Sequence, residues 1–246
     1  MNNEKLPLVL IHGWGMNDSV FKHLSNQYNG HKVILLELPG HGDALPVEAE
    51  FDCWCQQLQQ QLPERCVLAG WSLGGMLAMA LAQRLPSQVG GLVTIAASPS
   101  FSEREDWPGM RPSVLRQFGR QLATDHATTI ERFMALQAMG SSSAKDDIRS
   151  LKKSVLARPL AAPIALQQGL DFLANVDLRQ QLATIDQPWL RVWGKLDGLV
   201  PVKVANRWQH NAKSQDFIIA KASHAPFVSH QQEFEQGLSQ WLQEHF

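Results

Sequence analysis

Cys66-Val67-Leu68-Ala69-Gly70-Trp71-Ser72-Leu73-Gly74-Gly75-Met76-Leu77-Ala78 is the stretch from which the rest of the chain can be read. Its first five residues form an apolar run of strand length, and from Leu73 onward small and apolar residues continue as a helix. Between the two, Gly70-Trp71-Ser72-Leu73-Gly74 spells G-x-S-x-G, a turn so tight that small residues must flank the serine. Backbone strained in this way exposes the Ser72 hydroxyl at the edge of a sheet, within reach of a base. A glycine-rich turn that merely contains a serine is the bland alternative, and the strand before and helix after argue against it.

Outward from this turn, residues 6–12, 32–38, 66–70, 91–96, 189–194 and 215–219 read as strands. Residues 20–26, 52–62, 73–85, 202–210 and 231–246 read as helices, the last one amphipathic. The alternation predicts an α/β fold with a mostly parallel central sheet and helices on both faces. From about residue 99 to about residue 180 no good strand appears. Residues 130–139 place Ile130, Phe133, Met134 and Gln137 at helical spacings, and 144–156 follow as a second helix. Pro108, Pro112, Pro159 and Pro163 punctuate the stretch. The expected organisation is a core of 1–98 and 181–246, with 99–180 inserted as an all-helical lid over the carboxyl ends of the strands, where open α/β sheets bind ligands.

At 246 residues and 44% hydrophobic content the chain is long enough for one well-buried domain. A net charge of -1 gives no general attraction to nucleic acid or membrane. No apolar run approaches the roughly 18 residues of a membrane span, and Met1-Asn2-Asn3-Glu4-Lys5 lacks the pattern of a secretory signal. Three cysteines are an odd number in a chain of this size, so reduced thiols in a cytoplasmic protein are the simplest expectation. Cys53-Trp54-Cys55 falls in a helix, where residues two apart do not share a face, and no His or Cys partners lie near it. It reads as helix packing or surface, and neither a metal nor a cofactor is expected.

If Ser72 is a nucleophile, an acid and then a histidine should follow it in the chain. His224, in Ala222-Ser223-His224-Ala225-Pro226, lies after the last strand and before the last helix. His210, His230 and His245 fall in or beside helices, and His12 and His41 precede the serine as structural loop or pocket residues. Asp197, in Gly194-Lys195-Leu196-Asp197-Gly198, follows the strand 189–194, whereas Asp186 precedes it and would lie at the wrong end of the sheet. His224 would take the Ser72 proton and Asp197 would fix its tautomer. Two backbone donors are needed for the developing oxyanion. Leu73 follows the nucleophile, and His12-Gly13-Trp14-Gly15 follows the first strand, so the N–H groups of Leu73 and Trp14 are the candidates. An aspartate nucleophile is excluded, and the single Tyr28 lies outside the lid.

Between Arg111 and Arg158 nine basic residues stand against four acidic ones, an excess of five in a chain whose total is -1. A basic lid suggests an acidic partner at the entrance; an ordinary solvated helix face is the competing reading. Lys145, Arg149, Lys152 and Lys153 could share one broad face.

Gly13-Trp14-Gly15, Gly70–Gly75, Trp107-Pro108-Gly109, Glu131-Arg132-Phe133-Met134-Ala135-Leu136-Gln137, Leu196-Asp197-Gly198-Leu199-Val200-Pro201 and His224-Ala225-Pro226-Phe227 together resemble one family of this fold. It is the α/β-hydrolase family of biotin-pathway carboxylesterases, the pimeloyl-[acyl-carrier protein] methyl ester esterases. The likeness runs over almost the whole chain, and the Glu131–Gln137 and Trp-Pro-Gly segments carry most of its specificity. It implies hydrolysis of a methyl ester on a carrier-borne pimeloyl chain, by a monomer without cofactor. It also implies substrate contacts at Trp14, Ser72, Leu73, Phe133, Met134, Ala135, Leu136, Gln137 and His224, with Trp14, Phe133 and Leu136 as walls of an apolar tunnel. Carrier-protein contacts would fall at Arg132, Lys145 and Arg149. The chain departs from the family pattern where Lys145 and Thr128 stand in place of arginines, and where Glu37 replaces an aspartate. A broad short-chain carboxylesterase, or a ligand-binding protein that keeps the fold without the chemistry, are the alternative readings.

Overall fold

The apolar runs become strands of one sheet in the computed structural model, which describes residues 5–24, 27–137, 144–207 and 212–246. They are β1 (Leu8–Ile11), β2 (Gln27–Tyr28), β3 (His31–Leu36), β4 (Cys66–Trp71), β5 (Val89–Ile95), β6 (Trp189–Gly194) and β7 (Ser214–Ile219), ordered β2-β3-β1-β4-β5-β6-β7. Six strands run parallel, and only β2 pairs antiparallel, with β3. All six expected strands are present with ends moved by a residue or two. The short β2 was not expected: two residues are too few to show a hydrophobic pattern. Its turn is legible, since Asn29 and Gly30 both adopt positive φ, the conformation of a tight hairpin.

The helices are α1 (Phe51–Gln59), α2 (Leu73–Arg84), α3 (Pro112–Leu122), α4 (His126–Gln137), α5 (Ala144–Val155), α6 (Pro163–Asn175), α7 (Lys203–Arg207), α8 (Pro226–Ser229) and α9 (Gln231–His245). Helix α2 follows the Ser72 turn and packs on β4 and β5, almost every residue buried, while α1 lies against α2. The expected helix at 20–26 is instead a 3₁₀ segment, Asp18–Leu24, and residues 25–26 lie outside the described residues. The expected helix at 202–210 is shorter, with 208–211 outside the description.

Between β5 and β6 the chain makes four helices, α3 to α6, and no strand among the described residues. Only two of them were singled out from periodicity. Helices α3 and α6 each begin at a proline, Pro112 and Pro163, so two of the residues that read as punctuation are helix starters. Each helix turns an apolar stripe inward: Leu115, Phe118 and Leu122 on α3, and Ile130, Phe133 and Met134 on α4. Helix α4 is capped by Asp125, whose Oδ1 accepts the Thr128 N–H at 3.0 Å. The Thr128 hydroxyl bonds the same carboxylate at 2.6 Å. The segment is pinned to the core where α6 meets the loop after β1: a Cβ on Gly169 would sit 2.5 Å from the Trp14 ring.

The strand order has one consequence for the site. From β1 the chain leaves toward β3, and from β4 it leaves in the opposite direction, toward β5. Loops diverging from adjacent parallel strands open a crevice at their carboxyl ends. The loops at that crevice are His12–Gly15 and the Ser72 turn.

Candidate active site

Ser72 sits between β4 and α2 with φ 55° and ψ -119°, a left-handed conformation that costs energy for a residue with a Cβ. The glycines around it are required by contact. A Cβ on Gly70 would lie 2.3 Å from the Gly74 carbonyl oxygen, and one on Gly74 would lie 2.3 Å from the His12 carbonyl oxygen. The turn is held from β5, where Ile95 accepts the Ser72 N–H at 2.9 Å.

His224 arrives from the loop after β7, and its Nε2 is 2.9 Å from Ser72 Oγ. Its Nδ1 is 2.8 Å from Oδ2 of Asp197, which follows β6. The other carboxylate oxygen, Oδ1, accepts the N–H groups of Leu199 at 2.8 Å and Val200 at 3.0 Å. A carboxylate so occupied is an acceptor, so Nδ1 carries the ring proton and the Nε2 lone pair faces the serine hydroxyl. The His224 and Asp197 side chains are almost completely buried, each 1% exposed. Asp186 is exposed and pairs with Lys213 at 3.3 Å, before β6.

Two further contacts hold His224. Its carbonyl accepts the Trp71 indole N–H at 2.8 Å, and its N–H donates to the carbonyl of Gln137, at the end of α4, at 3.0 Å. Sequence reasoning missed both. A main-chain acceptor leaves no signature in residue type, and Trp71 occupies a position where the G-x-S-x-G pattern allows any residue.

The loop after β1 touches the serine: a Cβ on Gly13 would be 3.2 Å from Ser72 Cβ. In that loop the Gly15 N–H goes to His41 Nε2 at 3.2 Å and the Met16 N–H to the Gly13 carbonyl at 3.2 Å. The Trp14 N–H just before them has no acceptor among the described residues. Leu73, first residue of α2, has an N–H that a helix start leaves unsatisfied. His41 is held neutral, its pKa pushed down to about 3 by burial and then by His12 nearby. As a neutral ring it donates through Nδ1 to Pro39 and accepts at Nε2.

Of the residues expected to contact substrate, Trp14, Phe133, Met134 and Gln137 are buried. The Trp14 ring meets Phe133 edge-on at 4.7 Å, and the Trp14 indole N–H donates to Leu166 of α6 at 2.7 Å. Leu136 is half-buried and lines a cleft of about 340 Å³ with Met110, Val114, Gly198 and Leu199, next to the Asp197 turn. Ala135 points outward and is exposed. Arg132 on α4 and Lys145 and Arg149 on α5 are exposed too, and α5 buries Leu151 and Val155 on its other side. Arg149 pairs with Asp146 at 3.1 Å, Lys152 with Glu131 at 3.1 Å, and Arg158 with carboxylates of the core. The excess of positive charge between residues 111 and 158 is therefore partly neutralised within the fold.

Among the described residues no group of His, Cys, Asp and Glu is arranged to hold a metal ion, and no helix is long and apolar enough to cross a membrane. The three cysteines are free thiols. Burial pushes Cys55 and Cys66 up to about 12.

Comparison with known proteins places this geometry in a lineage. The family described as alpha/beta hydrolase fold matches residues 7–231. Solved structures with the same architecture include an esterase from Exiguobacterium antarcticum (TM-score 0.86, 21% identity, 98% of this chain and 92% of that one). An enol-lactonase from Burkholderia xenovorans matches with a TM-score of 0.81 at 14% identity, over 99% of this chain and 94% of its own. At such identities the likeness is one of fold. Much nearer in sequence is the pimeloyl-[acyl-carrier protein] methyl ester esterase of Shewanella woodyi, 52% identical over 96% of this chain and 93% of its own length. The protein of the same name from Aliivibrio fischeri is 44% identical over 97% and 94%. With that identity spread along nearly the full length of both proteins, the chain belongs to the alpha/beta hydrolases and, among them, to the pimeloyl-[acyl-carrier protein] methyl ester esterase family.

Proposed function

We propose that the chain is a serine carboxylesterase that hydrolyses the methyl ester of a pimeloyl chain carried on acyl-carrier protein, a step of biotin synthesis. The chemistry rests on one observation, the continuous hydrogen-bonded line from Ser72 through His224 to Asp197 at the strained turn. The substrate rests on the relatives' names.

Ser72 Oγ attacks the ester carbonyl while His224 Nε2 takes its proton, and Asp197 stabilises the imidazolium without accepting a proton itself. The carbonyl oxygen becomes an oxyanion between the N–H groups of Leu73 and Trp14, which need no reorganisation to meet it. Collapse breaks the bond to the methoxy oxygen; His224 returns the proton, and methanol leaves. Water, deprotonated by the same His224, then attacks the acyl-serine, and a second collapse frees the carboxylate and restores Ser72. The buried apolar side chains Trp14, Phe133 and Met134 suit the methylene chain. Arg132, Lys145 and Arg149 are exposed cations facing outward, suited to meeting an acidic carrier.

The pairing of Arg149, Lys152 and Arg158 with acids of this chain favours a second reading, a general short-chain esterase with an incidental lid charge. Comparing turnover of carrier-borne and free methyl pimeloyl esters separates the two. Lys145→Glu with Arg149→Glu should raise KM for the carrier-borne ester several-fold and leave a small ester unchanged, and added salt should act in the same direction. Equal efficiency on free and carrier-borne esters would refute the carrier reading. Ser72→Ala should lower kcat by about 10⁴ or more on both; near-normal turnover would refute the nucleophile.

A further inference from the structure

The Trp14 N–H can stabilise an oxyanion only if the loop between His12 and Met16 is held still, and one of its anchors, His12, leads to a cluster of charged side chains. His12 is completely buried. Its Nδ1–H donates to the Gly13 carbonyl at 2.8 Å, which leaves Nε2 to face outward from the loop. There Nε2 lies 3.1 Å from the Leu38 N–H donor and 2.8 Å from Oε2 of Glu37. The same Oε2 accepts the Asp18 N–H at 3.1 Å.

The other Glu37 oxygen, Oε1, is buried with no hydrogen bond among the described residues and faces the Arg158 charge, 3.2 Å from Nη2. Arg158 follows α5, in the helical segment between β5 and β6. Its guanidinium also donates to Asp18 through Nη1 at 2.5 Å and to Asp43 through Nη2 at 2.6 Å. Three carboxylates from the loops after β1 and β3 thus converge on one cation supplied by the segment above them. Burial, and then the neighbouring Glu37, raise the Asp18 pKa against the pull of Arg158. The fork geometry matters, because a single ammonium cannot hydrogen-bond Asp18 through one arm and Asp43 through the other while its charge also faces Glu37.

We propose that Glu37 and Arg158 are positioning residues for the oxyanion donor of Trp14, a brace through which the helical segment sets the geometry of the loop after β1. The inference rests on the esterase reading above. Loss of either arm lets the loop drift, and the transition state loses a donor that the bound ester does not need.

The test uses the full chain with Glu37→Met, Arg158→Met, the double variant and Arg158→Lys. Active sites are titrated with a p-nitrophenyl phosphonate, which counts folded, competent serines, and kcat and KM are then measured on p-nitrophenyl butyrate. Each Met variant should lose about tenfold or more in kcat per titrated site, part of the 10²–10³ that a whole donor contributes, with KM within twofold. The double variant should be no worse than the poorer single, and Arg158→Lys should fall between wild type and Arg158→Met. An unchanged kcat per titrated site would mean that the cluster only stabilises the fold, and single effects that multiply in the double would mean that the two residues act separately; either overturns the proposal. If Glu37→Met does not fold, the two Arg158 variants decide. Failure of the esterase reading is distinct: wild-type Ser72 would then not react with the phosphonate.

Discussion

Replacing Asp197 by asparagine tests the hydrogen-bond logic of the site with a change of one atom. The carboxylate has two separate duties: Oδ1 accepts the Leu199 and Val200 N–H groups, and Oδ2 accepts the His224 ring proton. An asparagine can present its oxygen to only one of these. With the oxygen toward the turn, both backbone bonds survive and the amide nitrogen stands 2.8 Å from Nδ1. Reversed, the amide N–H groups face two buried donors, each left unsatisfied at a cost of about 1–3 kcal/mol. The first orientation wins by that margin. It forces Nδ1 to accept, moves the ring proton to Nε2, and turns the base 2.9 Å from Ser72 Oγ into a donor. In serine hydrolases of other folds the same inversion lowers kcat by about 10⁴, equivalent to about 5.5 kcal/mol. Asp197→Asn should therefore lose three to four decades in kcat per titrated site on a p-nitrophenyl ester at neutral pH, with KM within a few-fold. Thermal unfolding should change little, because the turn keeps its acceptor. A loss below tenfold in a folded variant would refute the assignment of Asp197 as the group that fixes the tautomer. Asp197→Ala, which deprives both backbone donors, should lose similar activity and about 2 kcal/mol or more of stability.

Three other outcomes follow from packing and ionisation. Gly169→Ala drives a Cβ to 2.5 Å from the Trp14 ring and should destabilise by about 1–3 kcal/mol in urea unfolding; an unchanged midpoint would mean that α6 moves aside freely. His41 has a folded pKa of about 3 against 6.5 unfolded, so its contribution to stability is complete above about pH 6.5 and drains away as the pH falls toward 3. The loss approaches about 1.4 kcal/mol per pH unit; His41→Gln should flatten that part of the profile, and an identical slope in urea midpoints at pH 4.5 and 7 would count against it. With Cys55 and Cys66 raised to about 12 and buried, a thiol reagent at pH 8 should label at most Cys53 in the native protein and all three cysteines once unfolded. Rapid native labelling of Cys66 would show that β4 opens.

The strands were legible because a parallel sheet buried on both faces needs uninterrupted apolar runs, as β1, β4 and β6 have. Helix α3 was harder to see. Its stripe of Leu115, Phe118 and Leu122 is regular, but Arg116, Gln117, Arg120 and Gln121 fill the spaces between, and a proline opens it. The segment at 18–24 shows the limit of periodicity as a guide. Ser19, Val20, Phe21 and Leu24 are all buried at spacings that suit an α-helix, yet the chain winds as a 3₁₀ turn. Asn17 has a part in this, because its Oδ1 accepts the Ser19 N–H at 3.3 Å while its amide donates to Val155 on α5, a contact 138 residues away in the chain. A local pattern carries no record of so distant a tether.

Ser72, Asp197 and His224 are separated by 125 and 27 residues, yet their placement could be argued from order alone. Parallel strands have all their carboxyl ends on one edge, so any residue just after β4, β6 or β7 is delivered to that edge whatever happens between. The argument fails for groups that reach the site from elsewhere. The Gln137 carbonyl that holds the His224 N–H comes from α4, and Arg158, which meets Glu37 beneath the Trp14 loop, comes from beyond α5. Neither lies at a strand end, and neither has a motif. In the sequence Arg158 was one of nine basic residues on a charged segment, told apart from Arg132 and Arg149 only by the family resemblance that singled those two out. The fold separates them physically: Arg132 and Arg149 stand exposed, while Arg158 turns inward to three carboxylates. Charge counted along a chain therefore overstates what the surface offers to a partner, because the fold turns cations such as Arg158 toward its own carboxylates.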